Sequence, residues 1–222
     1  MKGSNSVMPL QNRVDPFGEI HAVSTRGLFT GNRGAIHDPA TRTLRSRRWS
    51  TRAWIICDLV HPKGKTRAVM GRNTPAGGAG WTELFFLDEV TALAAGHRPC
   101  FYCRRALAKE FAGHFADAFH LSEPKATEID RLLHAERLAC GRAMRPLTDA
   151  EIRDLPDGAM IALDGQAFAL KGGGLLPWRF DGYGNPRALT GALAGPAALI
   201  TPPTTIAVLR AGYRPAWHSS AG

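Results

Sequence analysis

Apolar residues fall along this chain in short blocks of two periods. Ala53 to Val60 is rich in branched and aromatic side chains, Pro62-Lys63-Gly64-Lys65 supplies a turn, and Thr66 to Met70 continues as a second strand, which predicts a hairpin. Upstream, residues 1–19 read as a loose arm, and Gly27, Gly31 and Gly34 mark a loop over residues 24–34. After the glycine-rich loop at 75–80, the apolar run Trp81 to Leu87 enters a helix that Asp88 can cap. Gly96 closes that helix in the left-handed conformation, and Pro99 prevents its continuation.

Helical spacing then dominates. Leu107, Phe111, Phe115 and Phe119 recur every fourth residue in a helix predicted from Arg104 to Phe119, and Ile129, Leu132 and Leu133 face inward in another from about Thr127 to Cys140. Beyond Pro156 the period shortens. Ala159 to Leu163, the Asp164-Gly165 turn and Gln166 to Leu170 predict a second hairpin. Lys171 to Gly174 and the Ala-, Gly- and Pro-rich stretch up to Pro203 read as loops. The expected class is α+β, with a zinc knuckle between helices beside a β-hairpin and a small β-rich C-terminal unit. The expected division is a flexible arm at 1–19, a basic zinc-knuckle domain at 20–145, and a β-rich unit at 146–222 that is separate or part of the same domain.

Composition narrows the class. A chain of 222 residues with 44% hydrophobic content can bury a real core. No apolar run reaches the roughly 20 residues needed to span a bilayer, and no signal-peptide pattern follows Met1, so a cytoplasmic location without membrane association is expected. Four cysteines, Cys57, Cys100, Cys103 and Cys140, would stay reduced there. The formal charge is +9 and the pI near 9.9. Arg42, Arg45, Arg47, Arg48 and Arg52 surround Trp49 and Trp54, a composition suited to phosphates and stacked bases, so DNA or RNA is the expected partner. Arg98, Arg104 and Arg105 extend the basic set around the cysteines, and Asn32 and Arg33 are further candidate contacts. The competing reading is a solvated arginine face over core tryptophans.

The sharpest chemical signal is Cys100-Phe101-Tyr102-Cys103, because two thiolates spaced this way can bite one soft cation. Residues 85–104, ending Gly96-His97-Arg98-Pro99-Cys100-Phe101-Tyr102-Cys103-Arg104, resemble the second half of the metal-binding domain of Ada-type DNA alkylation-repair proteins. The resemblance implies a structural zinc shared with an earlier cysteine pair, one of which accepts a methyl group from a DNA phosphotriester. Here Cys57 stands alone upstream, so the methyl-accepting pair is incomplete. Cys57 is the best third ligand, and His61 or His37 the fourth, with His97 and His134 as alternatives. Four residues of strand span roughly 13 Å, so Cys57 and His61 can share a zinc only if the chain bends between them. Leu93-Ala94-Ala95-Gly96-His97-Arg98-Pro99 is echoed by Leu209-Arg210-Ala211-Gly212-Tyr213-Arg214-Pro215, a shared way of ending a helix, so the chemical information lies in the added CxxC. Taken whole, the chain also resembles a bacterial protein family from which no activity carries over.

Other chemistries compete. Cys100 to Arg105 is similar to a glutaredoxin active site, although a thioredoxin-like motif follows a buried strand rather than a capped helix. Asp130 and His134 share a helix face, with Glu136 and Arg137 nearby, and a carboxylate can orient an imidazole as a general base; the same spacing also gives ordinary helix-surface ion pairs. Trp178, Tyr183, Arg187, Tyr213, Trp217 and His218 could form an aromatic binding surface or finish a β core. The reading that follows is a zinc protein that binds nucleic acid, in DNA repair or processing. The alternatives are a nucleic-acid-processing enzyme using Asp130 and His134 or a metal thiolate, and a CxxC oxidoreductase.

Overall fold

A computed structural model describes residues 8–64, 69–73, 78, 80–140, 144–189 and 195–222. The N-terminal half builds a sheet from β1 (Arg13–Val14), β2 (Ile20–His21), β3 (Phe29–Asn32), β4 (Ile55–Asp58), β5 (Leu84–Phe86) and, after the helix α1 (Glu89–Ala94), β6 (Arg98–Pro99). Their spatial order is β2-β1-β5-β3-β4-β6. Three expectations change here. Arg13–Val14, placed in the loose arm, pairs in parallel with β5, and Val14 is buried, whereas residues 1–7 lie outside the described residues. β3 occupies part of the expected glycine loop. The antiparallel partner of β4 is β3, with Thr30 opposite Cys57; in the expected second strand, Thr66–Ala68 lie outside the described residues, and Val69–Met70 form a turn.

Glycine hid β3 because there it serves close approach rather than a turn. A Cβ on Gly31 would run into the Ile55 carbonyl oxygen of β4 and reach the Phe86 ring at 3.0 Å. Gly31→Ala should therefore destabilise the protein by about 1–3 kcal/mol, the usual cost of overpacking a site that cannot give. Urea denaturation would show it as a lower midpoint at constant m.

The chain continues through α2 (Arg105–Phe119), α3 (Ala126–Cys140), β7 (Pro146–Leu147) and α4 (Asp149–Arg153). It then forms β8 (Met160–Leu163), β9 (Gln166–Lys171), β10 (Gly174–Arg179), β11 (Gly182–Tyr183), β12 (Arg187–Ala188), β13 (Ala197–Leu199) and α5 (Pro203–Arg210). The second sheet runs β11-β10-β9-β8-β13-β7, with β12 on β10. The predicted hairpin is β8–β9, with Leu163 opposite Gln166 and positive φ at both Asp164 and Gly165, as a two-residue turn of this hand requires. β13 lies within a stretch expected as loop, because a strand of Ala197, Ala198 and Leu199 is indistinguishable by composition from its Ala-rich surroundings.

The short helix α1 is buried along its whole length and serves both halves. Ala92 and Leu93 join a core with Phe86, Phe111, Phe115, Ile129 and Leu133, while Val90 and Ala94 join one with Met160, Ala169 and Trp178. Asp88 caps α1 by accepting from the Thr91 amide at 2.9 Å. At its other end the Gly96 amide donates to Leu93 and that of His97 to Ala92, and Gly212 and Tyr213 close α5 identically on Leu209 and Val208. The repeated sequence thus encodes one stop used twice. Of the residues read as either an aromatic surface or part of a core, Trp178, Tyr183 and Tyr213 are buried, while Arg187 is exposed and Trp217 and His218 are half-buried.

Candidate metal centre

The register of β4 against β6 builds the centre. Ile55 lies beside Arg98 and Ile56 beside Pro99, and the Cys100 amide extends this parallel ladder by donating to Ile56 O at 2.9 Å. Cys57 is therefore alongside Cys100. The Arg104 amide donates to Cys100 O at 2.9 Å, closing a turn that returns Cys103 toward the same point before α2 begins. The sulfurs of Cys57, Cys100 and Cys103 all lie within 4.8 Å of one another, and these three cysteines are free thiols. Sulfurs around a tetrahedral zinc, with Zn–S near 2.3 Å, stand about 3.8 Å apart, so closure needs shifts of at most about 1 Å.

Crowding already favours a thiolate. A hydrogen bond from Cys57 lowers the Cys100 pKa to about 5, against the opposing effect of burial, and the Tyr102 amide points to Cys100 Sγ at 3.4 Å. The same contact, reinforced by burial, pushes the Cys57 thiol strongly up. Cys57 and Cys100 are buried and Cys103 is half-exposed, so the cluster opens outward beside the exposed Tyr102.

Around it, cations are held by acids from distant elements. Arg104 donates to both Glu89 oxygens at 2.7 and 3.1 Å, its Nε is 3.3 Å from Asp58 Oδ1, and its guanidinium covers the Phe29 ring. Glu89 also accepts from Tyr213 Oη at 2.7 Å and the Ala216 amide at 2.9 Å. Next to it, Asp88 accepts from Tyr183 Oη at 2.9 Å and the His218 amide at 3.1 Å. Arg98 meets both Asp130 oxygens at 2.8 Å. Arg98 and Arg104 are thus buried and neutralised, which corrects their expected place on a nucleic-acid surface; Arg105 is exposed.

The remaining expected ligands lie elsewhere. His37 is fully buried, with Nδ1 on Thr82 Oγ1 at 2.6 Å and Nε2 on Gly71 O at 3.2 Å, so both ring nitrogens are engaged. His97 Nε2 accepts from Arg33. His61 comes nearest: the chain bends after β4 and stacks its ring near Tyr102, with centroids 5.9 Å apart, while its Nδ1 accepts from the Lys63 amide. Its ring nitrogens remain outside the group of three sulfurs. The half-exposed Cys103 is thus the side from which a further ligand could approach a metal held by the three sulfurs.

The postulated general-base pair is taken apart by its partners. Arg98 occupies both oxygens of Asp130, Glu136 accepts from the amide and hydroxyl of Thr204, and His134 packs edge-on against Trp49 at 4.5 Å. Arg42, Arg45, Arg47, Arg48 and Arg52 are all exposed with Trp49 among them, but Trp54 is buried and lies under the guanidinium groups of Arg33 and Arg137. Sequence spacing gave no sign of that stack, since its members are brought together from three separate segments.

The structure therefore defines an α+β chain, without a helix long and apolar enough to cross a membrane among the described residues, that carries a three-cysteine group able to hold a metal ion. No family model, curated protein or solved structure matches the chain.

Proposed function

We propose that Cys57, Cys100 and Cys103 hold a zinc ion and that the protein binds nucleic acid through its exposed arginine loop. The convergence of three sulfurs from β4 and from the segment that follows β6 carries the metal reading, since a purely redox CxxC has no use for a third thiol at the same point. Zinc would tie β4 to the turn before α2, and its fourth position is left to His61, after a small loop movement, or to an outside ligand. The nucleic-acid reading is supported by the exposure of Arg45, Arg47 and Arg52 around Trp49, a residue that is itself 39% accessible. Metal analysis of protein purified without added metal should find about one zinc per chain; metal-free protein that is fully folded would favour the redox reading.

The loop is tested separately. Arg45→Gln, Arg47→Gln and Arg52→Gln together should weaken binding to duplex DNA and reduce the slope of log affinity against log salt by about 0.9 per lost phosphate contact. A titration of this variant that retains both the parental affinity and slope would make the loop a solvated surface.

A further inference from the structure

A cavity of about 320 Å³ opens between the Pro16–Glu19 turn, Trp54, α3 and the residues after β13. Its charge is unusual for this protein. Arg33 is 1% exposed; Nη1 donates to Gly18 O at 2.8 Å and Nε to His97 Nε2 at 3.3 Å, but Nη2 has no partner among the described residues. Arg137, also in the lining, donates only to main-chain oxygens of Leu133 and Arg52 among the described residues. Both guanidiniums stack on Trp54, 4.0 and 4.1 Å from its ring centre. Neither forms an ion pair among the described residues, in contrast to buried Arg98 and Arg104. Glu19, the carboxylate in the lining, is exposed.

Burial lowers the pKa of each arginine to about 9; for Arg33, Arg137 lowers it further while Glu19 and Asp15 partly oppose, and for Arg137, Asp130 and Glu136 oppose while Arg98 lowers it. His97 supplies no counter-charge: burial and then Arg33 push its pKa well down, so it is a neutral acceptor. The buried Arg33 and the half-buried Arg137 therefore share one wall with no carboxylate ion-paired to either among the described residues, Glu19, Asp15, Asp130 and Glu136 acting only at a distance, an arrangement that costs stability unless something supplies negative charge at contact. The rest of the lining is mainly apolar, with Trp49, Leu138, Met144, Leu199 and Pro202, and also includes Arg48 and His134. A larger open groove of about 810 Å³ beside α5 lacks this character, because its Arg145 and Arg210 are paired with Glu151 and Asp154.

We propose that this cavity binds a small organic anion, a carboxylate or phosphate monoester on a flat apolar body, whose oxygens pair with Arg33 and Arg137. Guanidinium forks match both oxyanions, and the volume is at the lower end for small-molecule sites, enough for a single ring system. The inference is independent of the zinc and nucleic-acid readings, since it uses neither the cysteines nor the exposed loop.

Calorimetric titration of the full chain with benzoate, adenosine 5′-monophosphate and inorganic phosphate tests it. Saturable one-site binding of benzoate or the nucleotide is expected, tighter than inorganic phosphate, and whichever binds assigns the oxyanion. Arg137→Gln should weaken that binding about ten- to hundredfold through loss of a charged hydrogen bond, and Leu138→Trp, which fills the cavity, should abolish it. Arg45→Gln with Arg47→Gln should leave it unchanged. Absence of binding by all three probes at millimolar concentration would overturn the proposal. So would equal binding of inorganic phosphate, unaltered affinity in both cavity variants, or equal weakening in the loop variant.

Discussion

Cys57→Ser should lower zinc affinity more than about 100-fold, a larger loss than removal of a residue that merely supports a ligand. Cys57 faces Cys100 across the β4–β6 ladder, and a hydroxyl at that position is a poor ligand for zinc. X-ray absorption on the parent should fit three sulfurs at about 2.3 Å and one nitrogen or oxygen, falling to two sulfurs in the variant. Unchanged zinc content and an unchanged sulfur shell in Cys57→Ser would make Cys57 a small core residue. Cys100→Ser with Cys103→Ser should remove the metal altogether and lower the melting temperature, because zinc binding adds to folding free energy.

The second large effect is expected far from any ligand. Glu89→Ala should destabilise the protein by about 3–5 kcal/mol, because it leaves the buried Arg104 guanidinium with only the half-exposed Asp58 and strands the Tyr213 hydroxyl and the Ala216 amide. Glu89→Leu combined with Arg104→Met should recover most of that loss, since a buried ion pair exchanged for apolar side chains of similar volume is often neutral. Equilibrium denaturation of Glu89→Leu, Arg104→Met and their combination, beside Glu89→Ala, completes the cycle. If the double variant is as unstable as Glu89→Ala, the cost lies in the bonds to Tyr213 and Ala216 rather than in the stranded charge.

What could be read from sequence follows the range over which the determining contacts act. The cap at Asp88, the stops at Gly96 and Gly212, the Asp164-Gly165 hairpin and the Cys100–Cys103 bite are all local, and the residues concerned lie within a few positions of one another. The site as a whole is not local. Cys57 meets Cys100 only because a two-residue strand, Arg98–Pro99, pairs in parallel with β4, and nothing in an Arg-Pro dipeptide announces a strand. Net charge is ambiguous in the same way: by composition Arg98 and Arg104 are indistinguishable from the surface arginines, but their acids are 32 and 15 residues away, distances at which sequence alone cannot choose a partner. Arg33 and Arg137 escaped for the further reason that neither forms an ion pair among the described residues.

The acid pair at the start of α1 also sets a schedule for synthesis. Glu89 is made 124 residues before Tyr213 and 127 before Ala216, and Asp88 130 residues before His218. At roughly 5–20 residues per second, the two carboxylates wait about 6–26 s for those partners to be polymerised. During that interval Arg104, only 15 residues downstream of Glu89, can already neutralise it. The cysteine-bearing turn can therefore dock on the first sheet as soon as both have emerged, whereas burial of α1 from its other side must wait for the late strands and the 213–218 segment. A ribosome-stalled chain that ends before residue 213 should accordingly hold zinc while leaving the Asp88 end of α1 open to protease.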